Sequence, residues 1–276
     1  MEYSNPELSE HINVSKQHPL KDLFVLGLGV IVCIIFAVTG LSLIAERLAV
    51  HIPFSLEQEL TSKFIEPTVS NIEVESYLQA LADELITHMD IPDSMSITVH
   101  YVDDDMANAF ATLGGHIFIY RGLLALLPHE NSLAMVISHE IAHIQHRHPI
   151  MAMGRAVIIG LLFASLSGLS ANLIIDDVIN STGMITMLSF NRGQERQSDK
   201  TALHAIAAYY GHVSGAADLF HVLLNIKNRH TVSTPQFLST HPLSKERIDK
   251  LTQYTADNGW QADQAVQQLP DFIGKL

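Results

Sequence analysis

His139-Glu140-Ile141-Ala142-His143 places two imidazoles and a carboxylate where they can act on one metal ion. The surrounding run forms helix: from Ser132 to His148 there is no glycine or proline, and Leu133, Val136, Ile137, Ile141 and Ile144 recur at helical spacing. Residues four apart on a helix stand one above the other. His139 and His143 can therefore bind one zinc ion from one side, and Glu140 can take a proton from a water that the ion acidifies. Pro128 and Glu130-Asn131-Ser132 signal the start of this helix, and Arg147, His148 and Pro149 its end. The chain holds 16 histidines in 276 residues, so so short a pattern also arises by accident. The plain alternative is an amphipathic core helix with histidines along one edge, and other segments must decide.

A catalytic zinc site takes three protein ligands and leaves a fourth position open. Glu195-Arg196-Gln197-Ser198-Asp199 repeats the four-residue spacing with two acids. Glu195 is the candidate third ligand. Asp199 would accept the other ring N–H of a zinc-bound histidine and fix its tautomer. Alone, the pair reads more readily as a solvated helix face beside Arg192 and Arg196.

Four separated segments, in order, resemble the HtpX-type, prenyl-endopeptidase and Oma-type zinc metalloproteases. They are Asn108-Ala109-Phe110 with Gly114-Gly115-His116-Ile117 and Gly122-Leu123-Leu124; His139 to His143 with Arg147-His148; Arg192 to Asp199; and Ser239-Thr240-His241-Pro242 with Arg247-Ile248. Asn191 and Ser198 depart from the family's usual Ser and Ala without touching a proposed ligand. The resemblance covers roughly residues 71–253 and implies one Zn2+ per chain, held by His139, His143 and Glu195, with Glu140 as general base. It further implies that His241 stabilises the oxyanion, as a well-placed N–H donor does, and that Asn108 and Arg247 engage substrate. His116 to Tyr120, apolar and β-prone after its Gly-Gly turn, would be an edge strand pairing with an extended peptide.

Composition bounds the setting. Net charge is −13 with no basic run, which argues against nucleic acid as a partner. A single cysteine, Cys33, excludes an internal disulfide and a cysteine zinc cage. After a tail of residues 1–22, the 23 residues from Leu23 to Ala45 carry no charge. As a helix they span roughly 35 Å, enough to cross a bilayer. The run is too long, and its preceding tail too acidic, for a cleavable signal peptide. Lys16 and Lys21 before it nearly balance Arg47 and Lys63 after it, so charge does not orient the span. Analogy with anchored family members puts the catalytic domain on the extracytoplasmic, periplasmic side.

Residues 46–70 read as a linker with helix around Ser55–Ile65, and 71–276 as the zinc metalloprotease domain. Within it, Val74–Met89 reads as a helix with Tyr77, Leu78, Leu81, Leu85 and Ile86 on one face, and Ile97–Tyr101 as a strand. Asp103-Asp104-Asp105 reads as a solvated turn rather than a cation site. Residues 156–190 form an apolar insertion. Ala156 to Ile175 is uncharged for 20 residues, long enough to raise a second span, but its serines and Asp176-Asp177 favour a helical hairpin over the active site.

The expected fold is mainly α with a small β-sheet: a gluzincin-like domain behind one N-terminal transmembrane helix. The expected function is membrane-anchored zinc endopeptidase acting on peptides or proteins, in protein quality control, with the lipid bilayer as its other partner. The alternative is a zinc-stabilised, non-catalytic chaperone-like or interaction module.

Overall fold

Helix α5 (Glu130–Gln145) is buried from Asn131 to Ile144 and forms the axis of the computed structural model, which describes residues 19–62, 65, 71–167, 190–228 and 235–276. The His129 side chain caps its start by accepting from Ser132 N–H. Its C-terminus is a sharp turn at Arg147, whose φ of 61° is left-handed. Helix α6 (His148–Ser167) begins at once, with Pro149 in its first turn, where proline is tolerated.

Two helices pack beside α5. Helix α3 (Ile72–Ile86) starts two residues earlier and ends three earlier than its sequence periodicity suggests, and buries Val74, Leu78, Leu81, Ala82 and Leu85. Asn71 caps it through Val74 N–H. Helix α7 (Arg192–Tyr210) opens with a reciprocal capping box between Asn191 and Gln194 and ends at left-handed Gly211. Its buried Ala202, Leu203 and Ile206 join the α5 core. Helices α8 (Asp218–Asn228), α9 (Phe237–Thr240) and α10 (Lys245–Asp257) complete the helical body; α4 (Arg121–Leu124) is a single turn.

The sheet has three strands, β1 (Thr98–Val102), β2 (Ala109–Ala111) and β3 (His116–Tyr120), in the order β1-β3-β2. Strand β3 pairs parallel with β1 and antiparallel with β2. This corrects the expectation that His116 to Tyr120 is an edge strand. Ile117 and Ile119 are fully buried, and so apolar a strand is better protected in the centre than at an edge. The edges are instead β1 and the three-residue β2. Gly114 and Gly115 make the β2–β3 turn with φ of 72° and 86°. A Cβ on Gly115 would stand 1.9 Å from Ser96 O, so the backbones meet where only glycine fits. Arg121 binds Asp103 at 2.6 Å and Asp105 at 2.8 Å, closing the acidic turn with an internal cation.

The N-terminal helix α1 (Pro19–Ala49) is apolar, long enough to cross a bilayer, and unburied across its most hydrophobic stretch. Helix α2 (Phe54–Thr61) follows in the stretch read as a linker, but it is docked: Phe54 and Glu57 are buried, and Glu57 meets Arg147 and Gly114 N–H. The mainly helical fold with a small sheet is as the sequence indicates. Of the 156–190 insertion, α6 carries the first part; residues 168–189 lie outside the described residues.

Candidate metal centre

Each of three elements contributes a donor to one point. His139 and His143 project from one face of α5, Glu195 from the first turn of α7, and His241 from the turn after α9. One donor atom from each of the four lies within 4.8 Å of all the others. Around a zinc ion with bonds of about 2.0–2.1 Å, tetrahedral geometry separates neighbouring donors by about 3.3 Å. The observed separations bracket that value: 3.0 Å for His139 Nε2 to His143 Nε2, 3.3 Å for His139 Nε2 to His241 Nδ1, and 3.5 Å for His143 Nε2 to Glu195 Oε1. Two further edges, His241 Nδ1 to Glu195 Oε1 and His139 Nε2 to Glu195 Oε2, measure 3.1 and 3.6 Å.

Charge also fits a cation there. Three buried carboxylates, Glu140, Glu195 and Asp199, face one buried guanidinium, Arg247. A divalent ion among the donors would balance them. Without one, protons and the guanidinium carry the load. Burial pushes His139 down, but the hydrogen bonds its ring donates to Asp199 and Glu195 outweigh it and raise the ring to about 9. Burial would raise Glu195, yet the neighbouring His241 and Arg247 hold it well below the usual carboxylate range.

The ring nitrogens turned away from the centre are held by neighbours. His139 Nδ1 stands 3.1 Å from Asp199 Oδ1. His143 Nδ1 meets His148 Nδ1 at 3.0 Å, and burial drives His148 down to about 3, so it is a neutral acceptor for that proton. Phe190 stacks on His143 with centroids 3.9 Å apart and closes the cluster from solvent. The sequence reading gave neither residue a role in the site. His148 stood there only as a helix-end signal and within a family-like segment, because α5 breaks before it and helical spacing does not carry across a break. Phe190 lies in no motif.

Glu140 is fully buried beside the donors. Its Oε2 accepts from Ala111 N–H of β2 at 2.7 Å, and its Oε1 is 3.3 Å from His241 Nε2. Asn108, at the start of β2, is buried with its Oδ1 unpaired. Arg247 is buried, holds Asp199 through two nitrogens at 2.6 and 2.7 Å and contacts Glu195 through a third. The guanidinium is thus engaged inside the cluster. His241, expected only as an oxyanion donor, has one nitrogen among the metal-facing atoms and the other toward Glu140.

Fold and centre together are those of an HExxH metalloprotein whose third candidate ligand, a carboxylate, comes from a separate helix. Residues 73–255 match Peptidase family M48, and the chain belongs to that family. It is 25% identical over 192 residues to a putative beta-barrel assembly-enhancing protease of Vibrio cholerae, covering 66% of this chain and 39% of that protein. Over 172 residues it is 28% identical to the mitochondrial metalloendopeptidase OMA1 of Saccharomyces cerevisiae, covering 59% and 48%. Over 160 residues it is 32% identical to OMA1 of Schizosaccharomyces pombe, covering 56% and 46%. The chain thus spans less than half the length of these relatives.

Proposed function

We propose that the chain is a membrane-anchored zinc endopeptidase that uses Glu140 as its general base. The observation that carries this is the convergence of His139, His143 and Glu195 beside a buried Glu140 that is itself tied to strand β2. A zinc ion held by those three residues would supply a Lewis acid and bring the pKa of a water near neutrality. Glu140 takes the proton of the attacking water and delivers it to the leaving amine. Asp199 and His148 hold the His139 and His143 rings in the tautomers that turn Nε2 inward. In the antiparallel β2–β3 ladder, Ala109 points its N–H and C=O away from β3, so an extended peptide can add to that edge, with the Asn108 amide at its end. His241, whose Nε2 faces Glu140 at 3.3 Å, would donate an N–H to the oxyanion.

The relatives named as proteases and metalloendopeptidases support a protein substrate, and the anchor α1 supports action at a membrane; we assign that action to quality control on the extracytoplasmic side by analogy with anchored family members. A second reading, a zinc-stabilised non-catalytic module, is favoured by one observation: four protein donors can close the coordination shell as in structural sites. Against it stands Glu140, for which such a site has no use.

Casein cleavage by the zinc-loaded full chain in detergent, beside Glu140→Gln and a chelator control, separates the two. The expected result is loss of about 10²–10⁴-fold in the variant, with zinc binding retained, and loss with the chelator. Undiminished cleavage by Glu140→Gln refutes the proposal. No cleavage by either protein, with one zinc per chain, favours the non-catalytic module.

A further inference from the structure

Helix α6 does not stand apart from the anchor. It packs antiparallel on α1, with Ile150 against Ala49, Gly154 facing Ala45, and Arg155 bound to Glu46 at 2.7 Å. On α1 the half-buried or buried positions Ile34, Val38, Ser42, Ala45, Glu46 and Ala49 form one helical stripe, with only Gly40 partly covered off it. The two helices also lose their charges at the same level. Going away from the Glu46–Arg155 pair, α1 has no charged residue back to Leu23, and α6 has none to its end at Ser167. Twelve residues beyond Arg155, Ser167 draws level with Ile34, the midpoint of the uncharged run 23–45. On α6, Ile159 and Leu161 remain 40% and 36% exposed. A bilayer that takes in α1 cannot leave these residues in water, because they occupy its own depth.

We propose that α6 lies in the bilayer beside α1 from Ala156 onward, reaching about the midplane, with the Glu46–Arg155 pair at the surface. Its first two turns then stand outside. From His148, which touches His143, to Arg155 is a rise of about 10 Å, so the metal cluster sits close above the membrane. Phe190 stands beside His143, on the same side of that boundary as the cluster. Lipid is the occupant because the apolar surface continues that of α1 and begins at the same charge boundary. A second copy of the chain would need no such shared level. Resting on the endopeptidase reading, this height confines cleavage to roughly the first three to five residues outside the bilayer, at about 3.3 Å per extended residue. The substrate class is therefore membrane-anchored chains cut next to their anchors.

The test uses the full chain in liposomes, with Cys33→Ser and a single new cysteine at Ile159 or Leu161 carrying an environment-sensitive fluorophore. Label on native Cys33 gives the membrane reference and label on Gln253→Cys, exposed on α10, the aqueous one. Blue-shifted emission at both α6 positions, quenched by spin-labelled lipid as at Cys33, is expected. Emission like that of Gln253→Cys, or shielded emission that lipid does not quench, overturns insertion; the latter points to a protein cover. In the same liposomes, anchored substrates with a cleavable sequence stepped outward should be cut only in the nearest register. Cutting in the distant registers alone overturns the height. No cutting at any register, with the fluorophores quenched, leaves insertion standing and counts against the peptidase reading instead.

Discussion

Replacing Arg247 with methionine tests whether the cluster is held together by charge. The guanidinium is buried, binds Asp199 through two hydrogen bonds and touches Glu195. Methionine fills much of the same volume but leaves both carboxylates buried without a permanent countercharge. Breaking a buried pair in this way costs about 3–5 kcal/mol. For a domain of this size each kcal/mol moves Tm by about 2–4 °C, so the metal-free variant should melt about 6–20 °C lower. Trp260, the single tryptophan, reports the event, since its ring meets His204 of α7 and Tyr254 of α10, the two helices that Arg247 joins. Fluorescence melts of the full chain in detergent, with chelator and with zinc, supply the comparison. Zinc should recover part of the loss, because a cation at 1,000 times its Kd adds about 4 kcal/mol and replaces the missing charge. Arg247→Lys keeps the charge without the two-pronged geometry and should fall between. An unchanged Tm for Arg247→Met in chelator would refute the reasoning, and so would a loss that zinc leaves untouched.

Three other perturbations follow from the same geometry. His148→Phe removes the acceptor behind His143 and should weaken zinc binding about 10–100-fold, read by competition with a chromophoric chelator; unaltered affinity would show that His148 does not set the ring. His116, pushed down to about 4 by burial and by His100, binds a proton in the unfolded chain below about pH 6.5 but not in the folded one. Stability should therefore fall from about pH 6.5 toward 4, and urea midpoints of His116→Gln should fall less steeply over that window than those of the unsubstituted chain. Gly115→Ala places a methyl against Ser96 O at a left-handed φ and should destabilise by more than about 1 kcal/mol, with a lowered urea midpoint as the readout.

What was legible in the sequence was local. The period of Leu133, Val136, Ile137, Ile141 and Ile144 gave α5, and the uncharged run from Leu23 gave α1, because a helix declares its buried face every three to four residues. Glu195 and Asp199 stood out because a second helix carried acids at the same spacing as the histidines. What escaped depends on partners distant in the chain. Strand β3 is central because β1, some 18 residues earlier, takes its other side, and nothing within His116 to Tyr120 encodes that neighbour. Arg247 looks like a solvated helical charge until α10 is set beside α7. The docking of α2 hangs on Phe54 and Glu57, two buried residues in a segment otherwise suited to a linker.

Arg147 shows why those distant contacts matter to the site. A non-glycine residue in the left-handed region costs about 1–2 kcal/mol, yet α5 ends on one. The side chain accounts for it: Nη2 donates to Ile52 O at 2.7 Å and pairs with buried Glu57, while the guanidinium lies over the Phe54 ring at 5.7 Å. Glu57 in turn accepts from Gly114 N–H in the β2–β3 turn. One cation thus joins the end of the metal-bearing helix, the segment that leaves the anchor and the turn that sets the strand beside Glu140. The break at Arg147 also frees α6 to leave the line of α5 and pack along α1. The strained turn is therefore the joint through which the position of the anchor fixes the position of His139 and His143.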